Sequence, residues 1–394
     1  MSTLQQEPAL TTSAYRLQVR AAFEPFRDQV GEWERAGHLP RELFTALGAA
    51  GIFRQRWAAG PAGGLALAME MVEELSPVNG GAALAVSIHS EVFTHALHRF
   101  GGPAHVGTRD DALAGQAVGC VAITEPSGGS DLYSMQTAAV RTTAGGWQLT
   151  GTKRFTTNAG CATHALVLAR TGSLESVASL FLVPLDQPGV RIARFLGTLG
   201  VRSADTAAIE FDLRLTDDAV VGRVDAGLLY ALKLLDYERI FVATGLVASA
   251  RAALALATVH MRTRTQFGKR LFDHQALAHR VAERWAETEA AAALIDAACR
   301  AARGDHLPHH LVAAAKLVAA RAGIAAIDEA IQIFGGRGFT EDYPLERMYR
   351  DARLARIGGG TDEMMCQVIG MHLDVPDPVA TATLERIRAT AEEP

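Results

Sequence analysis

The sequence predicts an α+β multidomain protein in which an all-β region is placed between two all-α regions. Helical periodicity broken by Gly and Pro runs through residues 1–118. Short apolar runs separated by turn residues fill residues 119–225. Segments rich in Ala and Leu, apolar on several faces, then follow within residues 226–394. We therefore expect an N-terminal helical domain, a middle β-domain and a C-terminal helical bundle with a short tail.

Each region contains recognisable elements. In the first, the pattern predicts helices over Tyr15–Trp33, Arg41–Leu47, Leu65–Leu75 and Ala82–Phe100. In the second, six runs are typical of strands: GCVAI, WQLTG, HALVLAR, SLFLVP, GVRIA and AAIEFD. In the third, helices are predicted over 226–259, 275–303, 309–334 and 362–373, and the residues from Asp374 to Pro394 are predicted to form a loose tail.

Composition narrows the class of protein. The chain has 394 residues, of which 49% are hydrophobic and 21% charged, as in a folded soluble protein. A net charge of −5 disfavours a nucleic-acid surface. The first twenty residues, including Glu7, lack the features of a secretory signal, and no uninterrupted apolar stretch has the length of a bilayer span. We expect a cytoplasmic protein that binds neither nucleic acid nor membrane.

The sequence predicts no metal site. The four cysteines, Cys120, Cys161, Cys299 and Cys366, lie too far apart for metal-ligand or redox spacing. Histidines cluster on one helix face and near one loop, and these are His95, His98, His306, His309 and His310. No cysteine or carboxylate spacing completes a coordination set for either cluster.

Two segments of the β-domain suit a flat heterocycle. Val121–Asp131 leaves a strand and enters a loop where the hydroxyls of Thr124 and Ser130 and free N–H groups can approach a ligand closely. Leu149–Ala159 places Phe155 beside two threonines, which suits one face of a flavin and its N5 edge. Alone, the first segment is equally a polar surface turn and the second an ordinary strand.

Three segments of the bundle suit phosphates or carbonyl groups. Arg264 in the run RTQFG could meet a pyrophosphate, although a solvated arginine at a helix end is the common alternative. Ile331–Phe339 ends a helix in paired glycines, which most often form a C-cap. Thr361 is a natural N-cap after a glycine run whose N–H groups are free, although a flexible loop has the same composition.

In their order and spacing these segments resemble the acyl-CoA dehydrogenase family over roughly residues 15 to 373. The resemblance is carried by TEPSGGSD, GTKRFTTNA, RTQFG, QIFGGRGF, YPLERMYRDA and the Gly-Gly-Thr helix start. It implies a helical N-terminal domain, a middle β-barrel-like domain and a C-terminal four-helix bundle. It also implies a homodimer or homotetramer with FAD between the β-domain and the bundle, and an electron-transferring flavoprotein as acceptor, although oxygen remains possible.

The resemblance assigns the cofactor residues. Those expected to hold FAD are Ile123, Thr124, Ser130, Phe155, Thr156, Thr157, Arg264, Phe267, Gln275, Gln332, Gly335, Gly336, Thr361 and Glu363. Arg264, Gln275 and the residues from Gln332 to Gly336 would contact the adenine-dinucleotide part from a neighbouring subunit.

The catalytic base departs from the commonest family pattern. The family removes a proton from Cα of an acyl thioester while Cβ delivers a hydride to flavin N5, which requires a carboxylate in a dry pocket. Most relatives carry it in a Tyr-Glu-Gly-Thr motif, where this chain has Gly359. A minority, including isovaleryl- and long-chain-type members, carry it on the first bundle helix, at the position of Glu238.

Helical spacing also favours Glu238 as the base. Apolar residues lie three and four positions before and after it, namely Leu234, Leu235, Phe241 and Val242. The alternative is a helix-surface charge cluster with Asp236 and Arg239. Residues expected to contact the substrate are Ser130, Gly359, Gly360, Tyr237 and Arg239, with the Gly359 N–H donating to the thioester carbonyl.

Several substrates and chemistries remain open at this point. The expected product of an acyl-CoA is a 2-enoyl-CoA. An acyl carrier protein is an alternative carrier, because residues 364–371 have no arginine to meet the nucleotide part of CoA. A flavin-dependent oxidase or N-oxygenase on the same fold would need no base at Glu238. A non-catalytic nucleic-acid-binding relative would need a more basic C-terminal region. The sequence does not disclose the acyl chain length.

Overall fold

The computed structural model describes residues 13–172, 177–374 and 377–391. The N-terminal region consists of eight α-helices: α1 (Ala14–Phe23), α2 (Val30–Ala36), α3 (Arg41–Ala49), α4 (Ile52–Ala58), α5 (Gly60–Leu75), α6 (Gly80–Ser87), α7 (His95–Phe100) and α8 (Val106–Leu113). The four predicted helices are confirmed, and α4 and α8 are additional. Residues 1–12, with Glu7, and the last three residues of the chain lie outside the described residues.

Two predicted helices are interrupted. The first breaks at a 3₁₀ segment, Glu24–Gln29, whose second residue is Pro25. Proline lacks an N–H and clashes with the preceding turn, so the chain changes direction there. Between α6 and α7 the predicted helix passes through a π-helical segment, Ile88–Thr94, which is buried throughout. Such segments often lie at functional sites.

The middle region forms one eight-stranded sheet: β1 (Gly119–Ala122), β2 (Ala138–Arg141), β3 (Trp147–Thr156), β4 (His164–Arg170), β5 (Ala178–Pro184), β6 (Val190–Phe195), β7 (Ala207–Leu215) and β8 (Val220–Val221). The strand order is β6-β7-β3-β2-β4-β5-β8, and β1 pairs with β4 in parallel. All six predicted strands are present. The sequence pattern missed β2 and β8, which have only four and two residues.

The C-terminal region contains α9 (Gly227–Thr263), a hairpin of β9 (Thr265–Gln266) and β10 (Lys269–Arg270), α10 (Gln275–Arg300), α11 (His309–Phe334), α12 (Leu345–Ala352) and α13 (Asp362–Leu373). Helices α9 and α11 run parallel, with α10 leading back between them. The side chains of Asp236 and His309 meet at one end, and the rings of His260 and Phe334 stack 4.2 Å apart at the other.

The predicted loose tail is wrong in its local structure. Residues 378–391 form α14 (Pro378–Ala391). Asp377 caps this helix, because its carboxylate accepts hydrogen bonds from the N–H groups of Val379 and Ala380. Pro378 occupies the first helical position, which tolerates proline.

Two bundle helices are long and apolar enough to cross a membrane by length and composition. These segments are Gly227–Thr263 and His309–Phe339. The sequence expectation did not include them because polar residues interrupt their apolar runs. Within their most apolar windows, 67% and 61% of the residues are buried inside the protein. They therefore pack as core helices, and α9 and α11 lie against each other over their length.

All three regions meet in shared apolar packing. One cluster joins Phe93 of the π-helical segment, Leu166 of β4 and Leu234 of α9. Asn158, at a φ of 68°, donates its side-chain N–H groups to the carbonyls of Ala85 and Gly119, which ties α6 to β1. This packing fixes the first bundle helix against both other regions.

Candidate active site

A cavity lies where α5, α6, α9 and α12 converge, and Glu238 of α9 lines it. The cavity contains about 700 Å³ of space free of protein atoms, with the open solvent at its mouth included. Its walls are mostly apolar and include Ile88 and Val92 from the π-helical segment. Two ionisable residues, Glu238 and Asp351, are among the lining, and an apolar pocket with a few polar groups is the usual form of an active site.

Glu238 is the ionisable residue that α9 contributes to this cavity. Its carboxylate has no hydrogen bond or ion pair among the described residues. Burial raises the pKa of the Glu238 carboxyl above its ordinary value, and the charges of Arg239 and Lys316 oppose that shift. A carboxylate that is partly buried, unpaired and raised in pKa is suited to accept a proton.

The alternative of a surface charge cluster is excluded by the pairing around Glu238. Arg239 donates to the carboxylate of Asp236 at 2.9 Å, and both side chains are buried. The second oxygen of Asp236 bonds the ring of His309. These three residues form their own network, and Glu238 takes no part in it.

The glycine loop before α13 lies beside this carboxylate. A Cβ atom placed on Gly359 would lie 3.7 Å from Oε1 of Glu238. Gly359 and Gly360 have φ values of 66° and 102°, which glycine adopts readily. Within the described part of the chain, their N–H groups have no hydrogen-bond acceptor. Two free donors therefore lie next to the candidate base.

Two buried cations hold the carbonyl groups of this loop. Arg239 donates from Nε to the carbonyl of Gly359 at 2.8 Å. Lys316 of α11, whose exposed fraction is 0%, donates from Nζ to the carbonyl of Gly360. Burial lowers the pKa of Lys316 to about 8, although neighbouring acids oppose this. Sequence reasoning missed Lys316, although a single charge in the run VAAAKLVAA was an available signal.

Tyr237 is not among the residues that line the cavity, and its expected contact with substrate stays a prediction. Its hydroxyl donates to the carbonyl of Asp305 at 3.0 Å, and its ring packs against His95 with centroids 4.3 Å apart. Consecutive helical residues point in different directions, so Tyr237 and Glu238 cannot share a face. Arg239 contacts the backbone of the glycine loop, because its Nε donates to the carbonyl of Gly359.

The predicted flavin residues of the β-domain form one neighbourhood. Lys153 of β3 donates to the carbonyl of Ile123 at 2.9 Å and to Glu125 at 2.7 Å, which fixes the loop containing Thr124 to the strand before Phe155. Phe155 has a φ of 57° and an exposed fraction of 57%, so its ring is presented outward. The buried Oγ1 of Thr156 has no hydrogen-bond partner among the described residues. An outward aromatic ring beside an unpaired hydroxyl fits a flavin.

The remaining predicted residues divide into two groups. Thr361 accepts from the N–H of Met364 and caps α13 near the glycine loop, with Glu363 exposed beside it, while Ser130 is exposed on its loop in the β-domain. The others lie at the opposite end of the bundle: Arg264, Phe267, Gln275, Gln332, Gly335 and Gly336. Arg264 follows Glu238 by 26 residues, roughly 39 Å along a helix. One chain therefore does not bring both groups together.

The opposite end of the bundle is open. Phe267 has an exposed fraction of 95%, and Gln275 and Gln332 are exposed. A Cβ atom placed on Gly335 or Gly336 would meet nothing within 4 Å. No group of three or more metal-ligating side chains occurs among the residues that the structure describes.

Comparison with known proteins gives a consistent result along the chain. Family models match residues 11–105 (acyl-CoA dehydrogenase, N-terminal domain), 120–213 (middle domain) and 225–373 (C-terminal domain). The chain is 35% identical to the acyl-[acyl-carrier-protein] dehydrogenase MbtN of Mycolicibacterium paratuberculosis, over 91% of this chain and 94% of that one.

Two further relatives carry CoA in their names. The chain is 34% identical to the benzylmalonyl-CoA dehydrogenase of Aromatoleum aromaticum, covering 90% of this chain and 95% of that one. The structure of a glutaryl-CoA dehydrogenase from Mycobacterium smegmatis in complex with FADH2 superposes with a TM-score of 0.83 at 25% identity, covering 92% and 95% of the two chains.

Proposed function

The chain belongs to the acyl-CoA dehydrogenase family of FAD-dependent oxidoreductases, and we propose that it introduces an α,β double bond into an acyl thioester with Glu238 as the base. The observation that carries this proposal is the unpaired carboxylate of Glu238, which faces an apolar cavity beside two free N–H groups. A base and a carbonyl-binding site that are adjacent can act on neighbouring atoms of one substrate.

The residues act on the substrate as follows. Glu238 accepts the proton from Cα of the acyl group, and the N–H groups of Gly359 and Gly360 donate to the thioester carbonyl, where negative charge develops. FAD held beside Phe155 and Thr156 would supply the acceptor for the hydride that leaves Cβ as the double bond between Cα and Cβ forms. Apolar side chains such as Ile88 and Val92 exclude water, which keeps the pKa of Glu238 raised.

We propose an acyl carrier protein as the carrier of the acyl group. The relative that is 35% identical is named for this carrier. Helix α13, Asp362–Leu373, contains neither lysine nor arginine to meet the nucleotide part of CoA. CoA is the second candidate, because the relative that is 34% identical is named for a CoA substrate.

The division of the cofactor residues supports association of at least two chains. Arg264 and Phe267 lie at the end of α9 remote from Glu238, so they serve an FAD that binds beside Glu238 only if they come from a neighbouring copy. We propose a homodimer or a homotetramer on this ground. An electron-transferring flavoprotein is the proposed electron acceptor.

The experiment uses the purified protein with its bound FAD under anaerobic conditions. Acyl groups are offered on CoA and on acyl carrier protein, and reduction of FAD is followed by loss of its visible absorbance. We expect reduction by both carriers, with the higher kcat/KM on the carrier protein. Equal or higher kcat/KM with CoA would overturn the carrier assignment, and the absence of reduction with every thioester would overturn the function.

A further inference from the structure

The cavity extends well beyond the surroundings of Glu238. Six residues of α9 line it, and they recur at the spacing of one helix face: Glu238, Phe241, Val242, Gly245, Leu246 and Ser249. From Glu238 to Ser249 the helix rises roughly 16 Å. The cavity is therefore a channel three turns long, with the candidate base at one end.

The channel is kept open by small side chains on the facing helices. Ser76, which follows α5, and Ala83 of α6 line it opposite α9, and Ala352 of α12 lines a third side. Gly245 lets Ser76 and Val72 pack directly against α9, because a Cβ atom placed there would lie 2.5 Å from Oγ of Ser76 and 3.1 Å from Cγ1 of Val72. Any larger residue at 245 would move the wall of α5 or turn the Ser76 side chain.

The far part of the channel is not filled by the protein. The hydroxyls of Ser76 and Ser249 face the cavity and have no hydrogen-bond partner in the described ranges, although both residues are buried. The carboxyl of Asp351 is instead tied to the wall, since it accepts from the N–H of Val201. Ser76 and Ser249 thus present small polar side chains to the cavity, with Ser76 beside Gly245 and Ser249 about one helical turn further along α9.

Resting on the proposed function, we propose that this channel selects a long, unbranched saturated acyl chain, and that Gly245 and Ser249 set its length. An extended chain advances roughly 1.2 Å per bond, as a polypeptide does over three bonds per residue. The roughly 16 Å beyond Glu238 therefore holds on the order of ten or more carbons. An apolar wall without a bulge beside Gly245 favours a straight chain over a bulky or branched one.

The test measures kcat/KM for FAD reduction by butanoyl, octanoyl, dodecanoyl and hexadecanoyl thioesters on one carrier. For the wild type we expect kcat/KM to rise by at least about a hundredfold from butanoyl to dodecanoyl, because each buried methylene adds transition-state binding. Reduction by butanoyl as fast as by dodecanoyl would overturn the length assignment and leave dehydrogenation intact. Reduction by none of the four would overturn the function itself.

Two variants locate the determinant of length. Ser249→Leu fills the far end of the channel, so we expect the optimum to move from dodecanoyl to octanoyl. Lys233→Leu, at an exposed position of the same helix outside the cavity lining, is the control and should keep the wild-type profile. Gly245→Ala narrows the middle and should shift the profile in the same direction as Ser249→Leu. An unchanged length profile in both Ser249→Leu and Gly245→Ala, with butanoyl turnover retained, would overturn the proposal.

Discussion

Gly359 lies beside Glu238, and a side chain at position 359 would point toward the carboxylate of Glu238. A Cβ atom on Gly359 would lie 3.7 Å from Oε1 of Glu238 and 3.5 Å from Cγ of Arg239. A glutamate at either position would therefore place its carboxyl group in the same part of the cavity. The base can come from the glycine loop or from α9 without a change in where the substrate binds.

Moving the base back to the loop should restore part of the activity. We expect Glu238→Ala to lose FAD reduction by thioesters and Glu238→Ala combined with Gly359→Glu to regain a measurable fraction of it. Recovery should be partial, because residue 359 has a φ of 66°, where a side chain costs about 1–2 kcal/mol. Stopped-flow rates of FAD reduction would measure this. A double variant that binds FAD yet reacts no faster than Glu238→Ala would contradict the spatial equivalence.

Removal of the Lys316 charge should move the pH profile. The positive charge of Lys316 favours the ionised form of Glu238, so in Lys316→Met the pKa of Glu238 should rise further. Activity requires the ionised base, and the acid limb of kcat/KM should therefore shift to higher pH. The exposed Lys233→Met is the matched control. An acid limb at the wild-type position in Lys316→Met would exclude this coupling, whatever the fall in kcat from the loss of the Gly360 contact.

His309 should stabilise the fold in a pH-dependent manner. A hydrogen bond to Asp236 raises the pKa of His309, with burial and the charges of Arg239 and Lys233 opposing. A group whose pKa is higher in the folded state contributes fully at pH values below its unfolded pKa, and the contribution disappears as the pH rises through the folded pKa. His309→Gln should thus destabilise the protein by about 0.5 kcal/mol in acid, a small value because the imidazole is half exposed.

Thermal unfolding midpoints across the pH range would check the His309 prediction. His310→Gln is the control, since burial and neighbouring histidines lower the pKa of that residue. A destabilisation by His309→Gln that stays constant from acid to alkaline pH would contradict the assigned contact.

The buried Lys153–Glu125 pair should be costly to break. Lys153 is fully buried, and Glu125 also accepts from the N–H groups of Gln136 and Thr137. Lys153→Met leaves a buried carboxylate without its cation, which costs about 3–5 kcal/mol. We expect a fall in the unfolding midpoint of several degrees and weaker FAD retention, because the loop containing Thr124 loses its tether.

A surface pair provides the comparison for Lys153. Arg141 and Asp217 are both exposed, so Arg141→Met should change stability by less than about 1 kcal/mol. Calorimetry on both variants would measure the two changes in stability. Equal effects of Lys153→Met and Arg141→Met would show that the buried pair does not hold the loop.

The helices that the sequence predicted well are marked by residues at or next to their ends. Helices α11 and α13 begin at the predicted residues, because Pro308 and Thr361 mark their starts. The tail helix was missed although Asp377 caps it, since its prolines and charges were taken as signs of irregular structure. Strand β8 has only two residues and carries too little pattern to detect.

The residue types of the candidate site could be predicted from the sequence. The directions in which their side chains point were harder to predict. Glu238 follows from apolar spacing on one helix, and the structure gives it a cavity. The same spacing does not tell which neighbouring side chains are turned away from the cavity, as the side chain of Tyr237 is. Lys316 and the depth of the channel require helices that are distant in sequence to be placed together, which no local pattern contains.

The most direct test of the account is the rate of FAD reduction by a thioester in Glu238→Gln, measured anaerobically by stopped flow. Glutamine preserves the size of the side chain and cannot accept the proton, so we predict a loss of about 10²–10⁴-fold in rate, with FAD and thioester binding retained. Asp236→Asn, which alters the neighbouring network without touching the cavity, should retain most of the rate. A Glu238→Gln enzyme that reduces its FAD at a rate close to that of the wild type would contradict the central claim.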